Sequence, residues 1–87
     1  MWHVYILKCQ NKDLYTGVTN NLKRRFKEHK EGKGGRFTRT FIAKEILYSE
    51  QCFTKQEAFR REAQIKGWTR KKKLALINGD LLLLKKL

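Results

Sequence analysis

The chain begins with two strand-like stretches, WHVYILKC at residues 2–9 and LYTGVT at residues 14–19. Side chains of the first stretch alternate between two faces, with Trp2, Val4 and Ile6 on one face and His3, Tyr5, Leu7 and Cys9 on the other. This two-residue period is that of a β-strand. The polar stretch QNKD at residues 10–13 separates the two and predicts a turn. Residues 1–20 therefore predict a β-hairpin.

One helix and one further strand are predicted after the hairpin. Leu22 and Phe26 stand four residues apart, which favours a helix from Leu22 to about Lys30. The helix is expected to end before the glycine-rich stretch at residues 32–35. Lys44–Ser49 contains adjacent apolar residues of high β-propensity and predicts a third strand.

Two more helices complete the predicted order. Thr54 and Glu57 form a capping box that opens a helix running to about Lys66, with Gly67 after it. Thr69 can cap a last helix through Ile77. The order β-β-α-β-α-α indicates an α+β fold in which helices flank a small antiparallel three-stranded sheet. With 87 residues, we expect a single domain over residues 1–87.

The composition limits the class of protein. Lys and Arg number 21 against 8 Asp and Glu, which gives a formal net charge of +13, and 40% of the residues are hydrophobic. The chain is too apolar for a disordered polycation, and no apolar stretch is long enough to cross a membrane. A folded domain with this charge is expected to bind nucleic acid, and we expect no membrane partner.

The start of the chain and the cysteines bear on its compartment. Met1–Val4 includes no basic region ahead of a long apolar core. We therefore expect no secretion signal and a cytoplasmic location. Cys9 and Cys52 are then expected to be reduced. With no CxxC motif or Cys/His cluster, structural zinc is not expected.

Polar residues of the first helix fall on the face that should be buried. Counting about 100° per residue from Leu22, Arg25 lies at about −60° and His29 at about −20°. Arg24 lies at about 200°, on the opposite face. Arg25 and His29 therefore share the buried face.

A carboxylate falls in the apolar stripe of the second helix. Counting from Ala58, Glu62 lies at about 40° and Ile65 at about −20°. A charge directed at a core is costly unless it is paired or bound, so Arg25 and Glu62 are candidate functional residues. The structural alternative is an ion pair of Glu62 with Arg25, or with Lys66 one turn on.

Two tyrosines are expected beside these groups. If the hairpin pairs residue 5 with residue 19, then Tyr5, Tyr15 and Gly17 face the same side of the sheet. A glycine within a strand marks a bulge or the close approach of another backbone or a ligand. We expect a phosphate to lie beside the two phenols and the arginine.

Four strings in this order resemble the GIY-YIG nuclease superfamily, and the match is closest to its small single-domain bacterial members. The strings are VYIL at residues 4–7, LYTG at 14–17, NLKRR at 21–25 with His29, and AFRREAQIK at 58–66. His3 and Val4 stand where the family name has Gly and Ile, and Thr16 replaces the central Ile of the second triplet. These positions lie beside the residues expected to act in catalysis and are not themselves among those residues.

The resemblance implies a metal-dependent endonuclease that hydrolyses phosphodiester bonds in nucleic acid. The sequence does not decide between DNA and RNA, and of the two we expect DNA. Little sequence specificity is expected because no recognition helix or base-reading module is left over. The resemblance also implies that Glu62 binds Mg²⁺ or Mn²⁺, that Arg25 holds the scissile phosphate, and that Tyr5 is the general base. Tyr15 would position the phosphate or water, and His29 could assist. Because a free phenol is a poor base at neutral pH, we expect nearby positive charge, from the +13 field and the metal, to lower the pKa of Tyr5.

Substrate contacts and two alternatives complete the interpretation. The expected substrate-binding residues are Gly17, Lys23, Lys27, Lys33, Arg36 and Lys66. One alternative is a basic nucleic-acid-binding module of the same fold without cleavage, although binding alone does not need Glu62. The other is a ribosome-associated structural protein, which leaves the set of two tyrosines, an arginine and a glutamate unexplained. Single-stranded and double-stranded substrates both fit the sequence, as does any oligomeric state.

Overall fold

The structure, a computed structural model, describes residues 1–33 and 42–87. Its elements are β1 (Trp2–Cys9), β2 (Leu14–Thr19), α1 (Leu22–Lys30), β3 (Ala43–Cys52), α2 (Lys55–Lys66), α3 (Arg70–Ile77) and α4 (Leu81–Lys86). The predicted α+β class and the order of the first six elements are confirmed. β3 is longer than predicted because it pairs with β1 along the full length of that strand.

One element, α4, was not predicted. Gly79 adopts a positive φ of 70° after α3, which glycine tolerates without strain. The Asp80 side chain then accepts a hydrogen bond of 3.0 Å from the Leu83 backbone N–H and caps a new helix. Thr54 and Thr69 cap α2 and α3 as predicted, since each hydroxyl accepts a bond from the backbone N–H three residues on.

The three strands form one antiparallel sheet in the order β2-β1-β3. Tyr5 lies opposite Gly17, whereas the sequence led us to consider residue 5 opposite residue 19. The hairpin closes earlier because Lys12 adopts a φ of 72° and the Cys9 backbone N–H bonds the Asp13 carbonyl at 2.9 Å. A shift of two residues preserves the faces, so Tyr5, Tyr15 and Gly17 still share one side.

Helices cover both faces of the sheet, which explains why consecutive residues of β1 are all buried. One face packs on α2 and α3 through a core of Val4, Ile6, Ala58, Ile65 and Leu76. The other face packs on α1 through Tyr5, Leu7 and Ala43, with Tyr15, Leu22, Phe26 and Ile46 against them. The central strand therefore directs alternate side chains into two separate cores.

Two smaller expectations also concern the fold. Cys9 and Cys52 are free thiols, as predicted. The longest helix in the described part of the chain has 12 residues, and none there has the length and apolar character to cross a bilayer.

Candidate active site

The phenol of Tyr5 lies across the neighbouring strand at Gly17. A Cβ at Gly17 would lie 2.5 Å from Tyr5 Cζ and would overlap its hydroxyl. Only glycine therefore leaves room for the Tyr5 ring over β2. The sequence predicted a close approach at Gly17, but we expected a phosphate there, and the group that approaches is the phenol of Tyr5.

A buried histidine meets this phenol from α1. His29 is fully buried, and its Nε2 lies 2.8 Å from the Tyr5 hydroxyl. The Tyr15 ring completes the group, with its centroid 4.9 Å from that of His29 and 6.4 Å from that of Tyr5. We call Tyr5, Tyr15 and His29 the ring cluster. It combines two buried polar aromatic side chains, Tyr5 and His29, with the partly buried Tyr15 under α1.

Burial controls the protonation of the ring cluster. Burial, with the nearby charge of Arg25, lowers the pKa of His29 to about 4, against an opposing effect of Glu28. Burial and, to a smaller extent, the neighbouring Tyr15 together raise the pKa of Tyr5 to about 12, against an opposing effect of Arg25. We expected positive charge, including that of a bound cation, to lower the pKa of Tyr5; in the protein without a cation, burial outweighs the effect of Arg25 and the pKa lies above its usual value. At neutral pH the imidazole is uncharged and the phenol keeps its proton.

Arg25 contacts the ring cluster from one turn earlier in α1. Its side chain is 31% exposed, and its Nη1 lies 3.4 Å from Glu28 Oε1. Burial lowers the pKa of Arg25, but a hydrogen bond with Tyr5 and the charge of Glu28 raise it above its ordinary value, so the guanidinium stays charged. Arg24 is exposed, which confirms the predicted phase of the helix. Glu28 was not predicted, although its i,i+3 spacing from Arg25 could have indicated it.

Glu62 lies on α2 with its side chain 17% exposed, and Lys66 Nζ is 3.4 Å from its Oε2. The Glu62–Lys66 ion pair named as the structural alternative is thus formed. The negative charge of Glu62 also adds to the raised pKa of Tyr5, after the effects of burial, Tyr15 and Arg25, so the two groups lie within electrostatic reach.

A divalent cation would find one carboxylate at this position. Within residues 1–33 and 42–87, no group of three or more His, Cys, Asp or Glu side chains could hold a metal ion. Mg²⁺ commonly retains several waters and is bound by one or two carboxylates together with substrate phosphate oxygens. Glu62, a partly exposed carboxylate, fits that kind of site.

The expected substrate-binding cations differ in position. Lys23 and Lys27 are exposed on α1, where they line an open groove with Arg24 and Lys30. Lys33 is exposed and lies 3.8 Å from Glu31, while Lys66 pairs with Glu62 as above. Arg36 lies outside the described residues.

Comparisons with known proteins match most of the chain. The family model described as the GIY-YIG catalytic domain matches residues 1–75, which include the ring cluster, Arg25 and Glu62. UPF0213 protein SAG0778 of Streptococcus agalactiae is 45% identical over 75 residues, covering 86% of this chain and 85% of the relative. UPF0213 protein CPE1444 of Clostridium perfringens is 47% identical over 79 residues, covering 91% of this chain and 85% of the relative. The solution NMR structure of UPF0213 protein BH0048 from Bacillus halodurans matches with a TM-score of 0.56 and 36% identity, covering 90% of this chain and 84% of that protein.

Proposed function

The chain belongs to the GIY-YIG family, and from that premise we propose that it is a metal-dependent endonuclease that hydrolyses phosphodiester bonds in nucleic acid. We propose DNA rather than RNA as the substrate, little sequence specificity, and action as one domain in the cytoplasm. The observation that carries the proposal is the 2.8 Å contact between the Tyr5 hydroxyl and Nε2 of the fully buried His29. A core does not need such a pair for stability. Buried polar groups lose their hydration and must find hydrogen-bond partners, a cost in free energy that apolar residues avoid.

Tyr5 and His29 together would remove the proton of the attacking water. Because the pKa of Tyr5 is about 12, Tyr5 does not act as a preformed phenolate. The Tyr5 oxygen accepts a proton from water while its own proton passes to the neutral His29 Nε2. The water oxygen then forms the new bond to phosphorus, and the bond from phosphorus to the departing ester oxygen breaks.

Substrate would strengthen His29 as a proton acceptor. The positive charge of Arg25 contributes to the low pKa of His29, after the effect of burial. A phosphate bound to Arg25 offsets that charge and brings negative charge near the imidazole, and both effects raise the pKa of His29. The base would therefore gain strength when substrate is bound.

Arg25 would hold the scissile phosphate. Its guanidinium stays charged beside Tyr5 and can form paired, charge-assisted hydrogen bonds with phosphate oxygens. These bonds strengthen as negative charge grows on the phosphate oxygens in the transition state. Tyr15, against both other rings of the ring cluster, would orient the water or the phosphate.

Glu62 would bind the divalent cation, Mg²⁺ or Mn²⁺. When bound, the cation supplies charge neutralisation at the phosphate and at the departing oxygen. When no cation is bound, Lys66 balances the carboxylate charge of Glu62. Lys23, Lys27 and Lys33 would bind neighbouring phosphates, and Gly17 would serve the substrate indirectly by making room for Tyr5. Arg36, outside the described residues, is proposed for the same role from the sequence alone.

A non-catalytic nucleic-acid-binding module of the same fold is the second candidate. The ion pairs Arg25–Glu28 and Glu62–Lys66 favour it, because they give both charged candidates a structural role that needs no reaction. The two candidates differ in whether a cation and the Glu62 carboxylate are required for a product to form.

A cleavage assay separates the candidates. The protein is incubated with labelled single-stranded and double-stranded DNA and RNA, with Mg²⁺ or with chelator. We expect cleavage with Mg²⁺ only, and a loss on the order of 10²-fold or more in Glu62→Gln with binding in chelator unchanged. Glu57→Gln, an exposed change on the same helix, is the matched control. Wild-type cleavage by a folded Glu62→Gln protein would contradict the role of Glu62, and binding without cleavage would support the module.

A further inference from the structure

Two phenylalanines are exposed where the chain enters α2. Phe53 is 83% exposed and Phe59 is 47% exposed. Phe53 directly precedes the cap Thr54, a position from which an apolar side chain often packs against the helix at the residue corresponding to Ala58. Because Phe53 remains 83% exposed, such a capping contact buries little of its side chain and does not account for it.

A lysine joins the Phe59 ring to Trp2 at the start of the sheet. Lys55 Nζ lies 5.4 Å from the centroid of the Trp2 ring and 5.6 Å from that of Phe59. One ammonium group is thus held between two aromatic rings by cation–π attraction. We call Trp2, Phe53, Lys55 and Phe59 the aromatic patch.

The aromatic patch lies next to the proposed metal ligand. Phe59 and Glu62 are three residues apart on α2, and such residues are surface neighbours with Cβ atoms about 5–6 Å apart. Successive nucleotides advance by about 3.4 Å along a stacked strand. A base against Phe59 would therefore belong to a nucleotide within about two positions of a phosphate at Glu62.

We propose that the aromatic patch is a stacking site for an unpaired nucleobase of the substrate strand. The base stacks on Phe59, Phe53 offers a second exposed ring for the same strand, and Lys55 binds an adjacent phosphate. The inference rests on the proposed function and deepens it, because it adds a base contact beside the cleaved bond.

Charge favours nucleic acid over protein as the occupant of the aromatic patch. A second copy of the chain would bring another +13 charge and another Lys55 to the same surface. A nucleic-acid strand brings phosphates to Lys55 and flat π faces to the rings. Aromatic side chains interleaved with cations are the means by which single strands are bound without sequence preference.

The test measures binding without cleavage. Fluorescence anisotropy in chelator gives the affinity of the wild type, Phe53→Leu and Phe59→Leu for labelled oligothymidylate and for a duplex of equal length. Leucine keeps an apolar side chain and removes the ring face. We expect each variant to bind oligothymidylate at least about 5-fold more weakly, the lower end of what one stacked base contributes, with duplex binding unchanged. Leu82→Ala, a 75% exposed apolar residue on α4, is the control and should bind as the wild type does.

A second arm replaces thymines by abasic sites. This change should weaken binding by the wild type and leave Phe59→Leu little affected, because that variant has already lost the stacking contact. Equal affinity of all variants for oligothymidylate would overturn the inference. A wild-type dimer at micromolar concentration that Phe53→Leu dissociates would also overturn it, in favour of contact between copies. Absence of any nucleic-acid binding by the wild type would contradict the proposed function itself.

Discussion

The two faces of the sheet are built from alternate residues of one strand, yet they bury different chemistry. On the α2 and α3 side, Val4 and Ile6 pack against aliphatic residues in an ordinary apolar core. On the α1 side, equally buried positions hold the hydroxyl of Tyr5 and the imidazole of His29. Polar groups so deeply buried destabilise the folded state unless each of them has its hydrogen-bond partners. The contrast indicates that the buried residues of the first face maintain the fold, whereas the buried residues of the second face include the polar groups proposed for proton transfer.

The largest expected difference is between two adjacent arginines of α1. Arg25→Ala should lower the cleavage rate by about 10³-fold or more, since an arginine on a transferring phosphoryl group commonly contributes that much. Arg24→Ala, on the exposed side of the helix, should only weaken binding. Single-turnover rates and affinities in chelator measure the two effects. Equal losses in both variants would place the functional surface on the outside of α1.

The apolar face should respond in stability rather than in chemistry. Ile6 is fully buried, so Ile6→Ala should lower the free energy of unfolding by about 2–5 kcal/mol. The cleavage rate, corrected for the folded fraction, should stay within a few-fold of the wild type. Urea denaturation and a rate measurement at low temperature test this. A rate that falls as far as in Arg25→Ala would remove the proposed division between the faces.

The polar face should make stability depend on pH. The folded-state pKa of His29 is about 4 and its ordinary value is 6.5, so between these pH values the unfolded state binds more protons. Stability should therefore fall as the pH drops from about 6.5 to about 4, by about 3 kcal/mol from this group. The pKa of Tyr5 is raised to about 12 from 10.0, so stability should fall again as the pH rises through that interval.

Unfolding of His29→Gln at several pH values provides the comparison. This variant keeps a polar side chain but cannot titrate, so the part of the acid dependence due to His29 should disappear. Identical acid dependence in the variant and the wild type would show that His29 retains an ordinary pKa in the folded protein.

The smallest expected effect concerns Thr16. It lies opposite Ile6, and its buried hydroxyl has no hydrogen-bond partner among the residues that the structure describes. Thr16→Val replaces that hydroxyl by a methyl group and should raise the free energy of unfolding by about 1 kcal/mol, with cleavage unchanged. A loss of stability in urea denaturation would instead indicate a hydrogen bond to the hydroxyl.

Periodic features were predictable from the sequence. The two-residue period of β1 predicted which residues lie on each face of the sheet. The helical period of α1 predicted that Arg25 and His29 lie on the buried side and Arg24 on the exposed side. Both depend only on the spacing of residues along the chain. The hairpin register was missed because its turn depends on a left-handed Lys12, with no glycine or asparagine at that position to mark it. The consecutive leucines of α4 carry no period from which a helix could be predicted.

The sequence predicted that Tyr5, Tyr15, Arg25 and His29 lie close together, but it did not predict their electrostatics. The raised pKa of Tyr5 in the protein without a cation was not predicted, because the burial of this residue depends on α1 packing over the ring, a contact between residues far apart in sequence. At Gly17 the close approach was predicted, but its source is a side chain that crosses from β1. Both errors arise from tertiary contacts that a local pattern does not contain.

The central claim is that the hydroxyl of Tyr5, paired with His29, carries a proton in phosphodiester hydrolysis. Tyr5→Phe keeps the ring over Gly17 and removes only that hydroxyl. The direct measurement is its single-turnover cleavage rate with Mg²⁺, alongside circular dichroism and affinity in chelator. We expect a native spectrum, wild-type affinity and a rate lower by about 10²-fold or more. A folded Tyr5→Phe protein that cleaves at the wild-type rate would contradict the claim.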